Sequence, residues 1–254
     1  MKTVILAGGR GTRMMDKTHG LLPKPMLTVG EIPMLEHIMR IYIAQGFGDF
    51  VVATGYLGHI IQVWASKFNK CVRYHKLENI CVDAAPTGED TQTGGRLREL
   101  AMMGALDYEP FMMTYGDGMA DVNLKALMQY HHEKVNEGAL VTLTAVHPPS
   151  RFGRLELSNG MATGFGEKIS HQGEGWINAG FYVIEPEAME LVNGTHCRWE
   201  YDVLPVLALQ GRLAAFQHPG FFQMCDTWRD LQLLNELFDA GAPWLRMENH
   251  ENSK

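Results

Sequence analysis

A glycine-rich segment near the start of the chain has the composition of an anion-binding loop. Gly8-Gly9-Arg10-Gly11-Thr12-Arg13 follows the apolar run Lys2–Leu6. Backbone amides that follow a buried strand can converge on an anion, and glycine allows a close approach. Arg13 adds a fixed positive charge, and Lys24 lies between two prolines whose rings restrict the backbone that aims it. These residues predict a phosphate site, although a tight strand-to-helix turn and a solvated lysine are the alternatives.

An aspartate occupies the other position at which this sequence predicts chemistry. Phe111–Tyr115 reads as a buried strand, and Asp117 follows it within a Gly-Asp-Gly turn. Ligands of open α/β sheets bind beyond the carboxyl ends of the strands. Asp117 is therefore expected at the active edge of the sheet.

Several common sites are excluded by spacing. A dinucleotide fingerprint needs a glycine or alanine where Met14 stands, and no Gly-Lys pair forms a Walker loop. His132-Glu133 lacks the second histidine of a zinc protease, because that position is Asn136. His131 and His132 are expected at the helix surface or the edge of the core. No serine lies in a G-x-S-x-G elbow. The cysteines form no C-x-x-C pair and are expected to be reduced and mostly packed; they are Cys71, Cys81, Cys197 and Cys225.

The elements that position these residues alternate along the chain. Strand-like runs and amphipathic helical stripes succeed one another up to about residue 146, which predicts the α/β class with parallel strands. Between Pro148 and Gly180 the glycines, prolines and short strand-like pieces indicate an insertion. A helix is expected over Asp230–Ala240. The 254 residues contain no linker that requires a second domain, so a single domain is expected.

Charge and hydropathy limit the partners. The net charge is −7, which disfavours nucleic acid, yet the first thirty residues hold five lysines and arginines against one aspartate. A small polyanion is the expected ligand. No apolar run reaches about 18 residues and no signal-peptide pattern is visible, so we expect a cytoplasmic protein without membrane contact.

With these pieces in view, the sequence resembles the sugar-phosphate nucleotidylyltransferases along nearly its whole length. Val4–Arg13 and Pro23–Met26 look like the two signature elements of that family. Five further stretches look like its cytidylyl branch: Thr93–Leu97, Thr114–Gly118, Arg151–Gly153, Trp176–Phe181 and Asp226–Asp230. The resemblance implies a three-layer Rossmann-like nucleotidyltransferase fold with a mostly parallel, mixed central sheet and a small inserted sugar-binding β region.

The resemblance also implies an activity. The expected reaction transfers CMP from CTP to a sugar 1-phosphate with the help of Mg²⁺, giving a CDP-sugar and pyrophosphate. Glucose is the expected sugar, and a homo-oligomer is expected. Another sugar, UTP or dTTP in place of CTP, and a non-catalytic nucleotide-sugar-binding regulator remain alternatives. Ile169 stands where the family usually has proline, and residues 68–86 form a shorter stretch than in the glucose enzymes.

By the same resemblance the chain divides into a nucleotide-binding half (1–146), a sugar-phosphate-binding half (147–225) and a segment with a metal ligand and the C-terminal helix (226–254). The implied catalytic residues are Arg13, Lys24 and Lys168. The implied nucleotide-binding residues are Leu6, Ala7, Gly8, Gly9, Gly11, Thr12, Arg13, Lys24, Gly94, Gly95, Arg96, Gly116 and Asp117. Of these, Gly94, Gly95 and Arg96 would border the cytosine, with an ordinary turn as the alternative. The sugar phosphate is assigned to Tyr115, Glu167, Lys168 and Asn178, and the metal to Asp117 and Asp226, where an ordinary helix cap is the alternative for Asp226.

Overall fold

The computed structural model describes residues 1–14, 20–74, 80–148, 154–158, 161–166 and 175–245, and the side chains of Arg13, of residues 72–74 and of the two segments between 154 and 166 are not described. A seven-stranded sheet in the order β12-β8-β11-β6-β1-β4-β5 forms the centre. Its strands are β1 (Lys2–Ala7), β4 (Asp49–Thr54), β5 (Cys81–Pro86), β6 (Phe111–Tyr115), β8 (Val141–Val146), β11 (Ile177–Ile184) and β12 (Leu213–Gln217).

The sheet is mixed because of one strand. β11 runs antiparallel to both of its neighbours, β6 and β8. The other neighbouring pairs in this sheet are parallel. The predicted mostly parallel, mixed sheet is confirmed.

Helices cover both faces of the sheet, which gives three layers. Successive side chains of a strand point to opposite faces. Accordingly, Ile5 belongs to one buried hydrophobic cluster, while Val4 and Leu6 belong to the other. The α-helices in the described residues are α1 (Met34–Ile43), α2 (Gly58–Tyr74), α3 (Thr93–Met102), α4 (Leu124–Val135), α5 (Leu204–Leu209) and α6 (Trp228–Asp239).

Three small antiparallel sheets accompany the large one. β9 (Arg154–Ser158) pairs with β10 (Met161–Gly166) inside the region that the sequence marked as an insertion. β7 (Gly118–Ala120) pairs with β13 (Phe222–Met224), and β2 (Thr28–Val29) pairs with β3 (Ile32–Pro33). The β7–β13 pair is the one that shapes the site described below.

The C-terminal helix begins two residues earlier than its hydrophobic stripe predicted. Thr227 is its N-cap and forms a capping box with Asp230. Such a box satisfies backbone donors at the helix start, so the helix begins at Trp228. Asp226 precedes the cap, so its carboxylate is not the capping group.

Two other expectations need correction. Cys197 and Cys225 are buried as expected, but Cys71 and Cys81 are exposed, the latter because it opens the edge strand β5. His131 was expected at the surface or the edge of the core, yet it is fully buried, because its two ring nitrogens find partners in Thr142 and Glu185. Among the described helices, none has the length and apolar character that a membrane span needs.

Candidate active site

A cavity of about 450 Å³ opens at the carboxyl ends of the parallel strands β1 and β6. Its lining comes from residues 6–11, Lys24 and Pro25, residues 89–93, Arg96 and residues 115–117. Nine predicted nucleotide-binding residues line it: Leu6, Ala7, Gly8, Gly9, Gly11, Lys24, Arg96, Gly116 and Asp117. The predicted residues Thr12, Gly94 and Gly95 are not in this lining.

Lys24 joins two carboxylates at the edge of this cavity. Its ammonium donates to Asp117 Oδ2 at 2.7 Å and to Asp226 Oδ1 at 2.8 Å. Because both oxygens contact one nitrogen, they lie at most about 5.5 Å apart, the sum of these two distances. Three residues that are up to 202 positions apart in sequence thus meet at one point.

The β7–β13 pair explains this meeting. Met224 lies opposite Gly118 in the pair, and the Cys225 amide donates to the Asp117 carbonyl at 2.9 Å. The residues that flank the pair, Asp117 and Asp226, are therefore held side by side. The sequence alone contains no pattern that predicts this pairing.

Lys24 is aimed by its prolines, as its sequence position indicated. It opens a short 3₁₀ turn, Lys24–Met26, and Pro25 packs on Gly116, where an added Cβ would come within 2.9 Å of the proline ring. Burial opposes the charge of the ammonium, but the pull of Asp117 and Asp226 outweighs it and raises the pKa of Lys24. Lys24 therefore stays cationic at the edge of the cavity.

The two carboxylates fit a hard divalent cation. Each has one oxygen on Lys24, and both side chains remain about a quarter exposed, at 24% for Asp117 and 28% for Asp226. Mg²⁺ is commonly held by one or two carboxylates, with waters and substrate phosphates completing the shell. Within the described part of the chain, no group of three or more His, Cys, Asp or Glu residues could hold a metal on its own. The donor set therefore fits a metal that arrives with a phosphate ligand.

The guanidinium of Arg96 holds the start of the glycine loop and its neighbouring loops through backbone carbonyls. Its guanidinium donates to the carbonyls of Gly8 at 2.9 Å, Gly88 at 2.8 Å and Thr54 at 3.1 Å, and to the Thr87 hydroxyl at 2.7 Å. A Cβ on Gly8 would lie 2.1 Å from the guanidinium carbon. Arg96 was expected beside the base, and it does line the cavity, but its contacts in this structure hold backbone carbonyls.

Gly94 and Gly95 lie in the first turn of α3 and not in a loop. A Cβ on Gly95 would come within 2.3 Å of the Thr195 carbonyl oxygen, and one on Gly94 within 3.0 Å of the Cys197 carbonyl oxygen. The glycines thus let the helix start pack directly against the backbone of residues 195–197. Their observed contacts concern packing, and a direct contact with the base stays a prediction.

Arg10 is part of the cavity lining, beside Glu89 and Asp90. Its guanidinium pairs with Asp90 at 2.9 Å and lies over the Tyr56 ring at 5.3 Å from its centre. Glu89 is 3.7 Å away. Gly9, beside it, has no atom within 4 Å of an added Cβ, so its outer side is open to a ligand.

The predicted sugar-side residues Tyr115 and Asn178 lie on the neighbouring strands β6 and β11. The hydroxyl of Tyr182 lies between them: it is 3.1 Å from the Tyr115 hydroxyl and accepts a hydrogen bond from the Asn178 amide. Glu200 accepts from the Tyr115 hydroxyl. Sequence reasoning missed Glu200, because a single carboxylate within an apolar and acidic stretch carries no motif. The Arg13 side chain and residues Glu167 and Lys168 lie outside the described residues.

Comparisons with known proteins match nearly the whole chain. Residues 2–245 match the nucleotidyl transferase family model. A glucose-1-phosphate cytidylyltransferase of Salmonella typhi is 40% identical over 263 residues, covering 98% of this chain and 100% of that protein.

Solved structures show the same fold. HddC from Yersinia pseudotuberculosis superposes with a TM-score of 0.67 at 23% identity, over 93% of this chain and 99% of that one. A UDP-glucose pyrophosphorylase complexed with UDP-glucose also has a TM-score of 0.67, at 16% identity, over 94% of this chain and 98% of that one. The model match, the relative and the shared architecture lead to one conclusion: this chain is a member of the nucleotidyl transferase family.

Proposed function

We propose that this protein transfers CMP from CTP to α-D-glucose 1-phosphate, releasing pyrophosphate and giving CDP-glucose. The observation that carries the proposal is the convergence of Lys24, Asp117 and Asp226 at the edge of a cavity lined by the glycine loop. The full-length identity to a glucose-1-phosphate cytidylyltransferase supports the choice of base and sugar.

The reaction needs positioning and charge neutralisation more than a base. A phosphate oxygen of the sugar phosphate, already anionic at neutral pH, attacks the α-phosphorus of CTP. A new P–O bond forms there, and the bond between the α-phosphorus and the bridging oxygen breaks as pyrophosphate leaves with its electron pair. No proton has to be removed from the nucleophile, so catalysis depends on in-line alignment and on cations near the phosphates.

Each part of the site supplies one of these needs. Arg96 holds the Gly8 carbonyl at the start of the glycine loop, and the backbone amides of residues 8–11, which line the cavity, can donate to the phosphates. Lys24 places a permanent positive charge at the same edge. Arg13 and Lys168 are assigned to the phosphates, and Glu167 and Asn178 to the sugar, as part of this proposal.

Magnesium belongs to the proposal as well. Asp117 and Asp226 would hold it, and when bound it would neutralise phosphate charge and orient the triphosphate. The protein itself contributes the placement of the two carboxylates through the β7–β13 pair. We also propose that residues 1–146 bind the nucleotide, residues 147–225 bind the sugar phosphate, and the working enzyme is a cytoplasmic homo-oligomer.

A matrix of four nucleoside triphosphates against several hexose and heptose 1-phosphates tests the proposal. Pyrophosphate release is measured with MgCl₂ and again with EDTA. CTP with glucose 1-phosphate is expected to give the highest kcat/KM, and EDTA is expected to abolish it. A clear preference for UTP or dTTP refutes the base, and a preference for another sugar refutes the sugar. Tight CTP binding without turnover of any pair would favour the non-catalytic regulator.

A further inference from the structure

A chain of hydrogen bonds runs beside the cavity and ends on one carboxylate. Glu200, in the helical turn Trp199–Val203, accepts from the Tyr115 hydroxyl through Oε1 and from the Thr93 hydroxyl through Oε2 at 2.7 Å. Tyr115 and Thr93 line the cavity, whereas Glu200 lies behind them. Among the described residues, the carboxylate therefore contacts the cavity lining through these two hydroxyls.

The hydrogen bonds that connect Asn178, Tyr182, Tyr115 and Glu200 all have the same donor-to-acceptor direction. Tyr115 has one proton and donates it to Glu200, so its 3.1 Å contact with Tyr182 must use the Tyr182 proton. The Tyr182 oxygen then accepts from the Asn178 amide. The Asn178 carbonyl oxygen accepts from the Gly180 N–H at 2.9 Å, which fixes the orientation of the amide. All of these donors point towards Glu200.

The second oxygen of the carboxylate, Oε2, is held by the Thr93 hydroxyl. The Trp199 N–H donates to the Thr93 oxygen at 2.8 Å, so Thr93 must donate its own proton to Glu200. Trp199 is fully buried and belongs to the same hydrophobic cluster as Val4 and Leu6. Its backbone is therefore held in place by the packing of that cluster. Glu200 is thus held rigidly on the side of α3.

A carboxylate acceptor makes the Tyr115–Glu200 bond stronger than a bond between two neutral groups.

We propose that Glu200 is a positioning residue for the sugar 1-phosphate: by accepting from Tyr115 it orients the Tyr115–Tyr182–Asn178 chain along the sugar side of the site. This inference rests on the proposed function, in which Tyr115 and Asn178 contact the sugar phosphate. It adds a residue that touches no substrate and acts through Tyr115.

The substitution Glu200→Gln tests it. Glutamine keeps the shape but offers one acceptor oxygen and one NH₂ donor, so it cannot accept from both hydroxyls. We expect kcat/KM for the sugar phosphate to fall about tenfold or more, the order expected for a lost bond to a charged group. KM for the nucleotide should stay within about twofold, because the variant keeps the glycine loop and Lys24.

A double-substitution cycle separates positioning from folding. Tyr115→Phe keeps the ring and removes the hydroxyl. If Glu200 acts through Tyr115, adding Glu200→Gln to Tyr115→Phe should reduce kcat/KM by less than about twofold. Asp202→Asn is the matched control, since Asp202 lies in the same turn, is exposed and, among the described residues, has its side-chain hydrogen bonds with Arg198. It should leave both substrates unaffected.

Three kinetic results would overturn the positioning role of Glu200, and they differ from a failure of the proposed function. Unchanged kinetics for Glu200→Gln, independent losses in the cycle, or equal losses for both substrates overturn the positioning role. If the wild type turns over a different nucleotide or sugar, the proposed specificity fails, and the same variants are measured with that pair. If it turns over none, the proposed function fails, and equilibrium binding of glucose 1-phosphate to wild type and Glu200→Gln decides this inference: equal affinities overturn it and an affinity about tenfold weaker supports it.

Discussion

Removing the ammonium of Lys24 is the most direct test of how the site is held together. Lys24→Met keeps most of the stem and leaves Asp117 and Asp226 facing each other at 5.5 Å or less. The ammonium makes two charge-assisted bonds, at 2.7 and 2.8 Å, and its own side chain is only 12% exposed. The variant therefore loses the one described cation that contacts both carboxylates.

The expected size of the effect follows from this geometry. A bond to a charged group contributes about 1.5–3 kcal/mol net. The carboxylates are about a quarter exposed, so water replaces part of what is lost. We therefore expect the free energy of unfolding to fall by about 1–3 kcal/mol in EDTA.

Magnesium should reverse this loss. In the variant the Lys24 ammonium no longer competes for the two carboxylates, so Mg²⁺ is expected to bind the folded variant more tightly than the folded wild type. A ligand at about ten times its Kd adds about 1.4 kcal/mol of stability. Urea unfolding of both proteins in EDTA and in MgCl₂ measures the difference directly. Pyrophosphate release should fall about a hundredfold or more, because the phosphates lose a fixed charge.

The surface provides a matched control. Lys134 also makes two short bonds, to the carboxylate of Glu137 at 2.8 and 2.7 Å, but in an exposed position. Lys134→Met should unfold like the wild type and show no added response to Mg²⁺. A Lys24→Met protein that matches the wild type in both stability and magnesium response would refute the reasoning.

Three further outcomes are expected. His37 is buried; its Nδ1 accepts from the Trp244 indole at 3.3 Å and its Nε2 donates to a backbone carbonyl at 2.8 Å, while burial lowers its pKa below the usual 6.5. Its contribution to stability is therefore complete above about pH 6.5 and is lost as the pH falls below that value. The free energy of unfolding should depend less steeply on pH between pH 7.5 and 5 in His37→Gln than in the wild type. Equal slopes in the two proteins would contradict this. Gly95→Ala should lower the free energy of unfolding in urea by about 1–3 kcal/mol, since its Cβ would meet backbone atoms. Gly9→Ala should unfold like the wild type and weaken only CTP binding, measured by calorimetry, because an added Cβ meets no protein atom there. The reverse pattern would contradict the assignment of Gly9 to the ligand side and of Gly95 to a packed helix start. Arg96→Lys should lower both thermal stability and CTP affinity, because one ammonium cannot replace a guanidinium that donates to four carbonyls and a hydroxyl. A variant with wild-type CTP affinity would show that the glycine loop keeps its shape without Arg96.

Local patterns were sufficient to predict much of the fold. Apolar β-branched runs ended at glycines, and the strands Lys2–Ala7 and Phe111–Tyr115 formed where those runs stand. The position of Asp117 followed as well, because the end of a parallel strand is a recurrent site for ligands. These features depend on residues that are close in sequence.

Features that depend on distant contacts were not accessible in this way. Asp226 reaches Asp117 through the β7–β13 pair, and only the family resemblance indicated its role. An ordinary turn was the alternative considered for Gly94 and Gly95, yet they start a helix, since packing against residues 195–197 overrides the low helix propensity of glycine. Glu200 became visible only when strand and helix placed two hydroxyls on its carboxylate.

The β7–β13 pair also sets the order in which the protein acquires its properties during synthesis. The glycine loop, Lys24 and Asp117 all emerge from the ribosome more than a hundred residues before Asp226. A nascent chain that has not yet reached Phe222 therefore has the lining of the nucleotide cavity but lacks the strand that brings in the second carboxylate. Full affinity for a divalent cation, and with it catalytic competence, should arise only after Asp226 has been translated and the β7–β13 pair has formed.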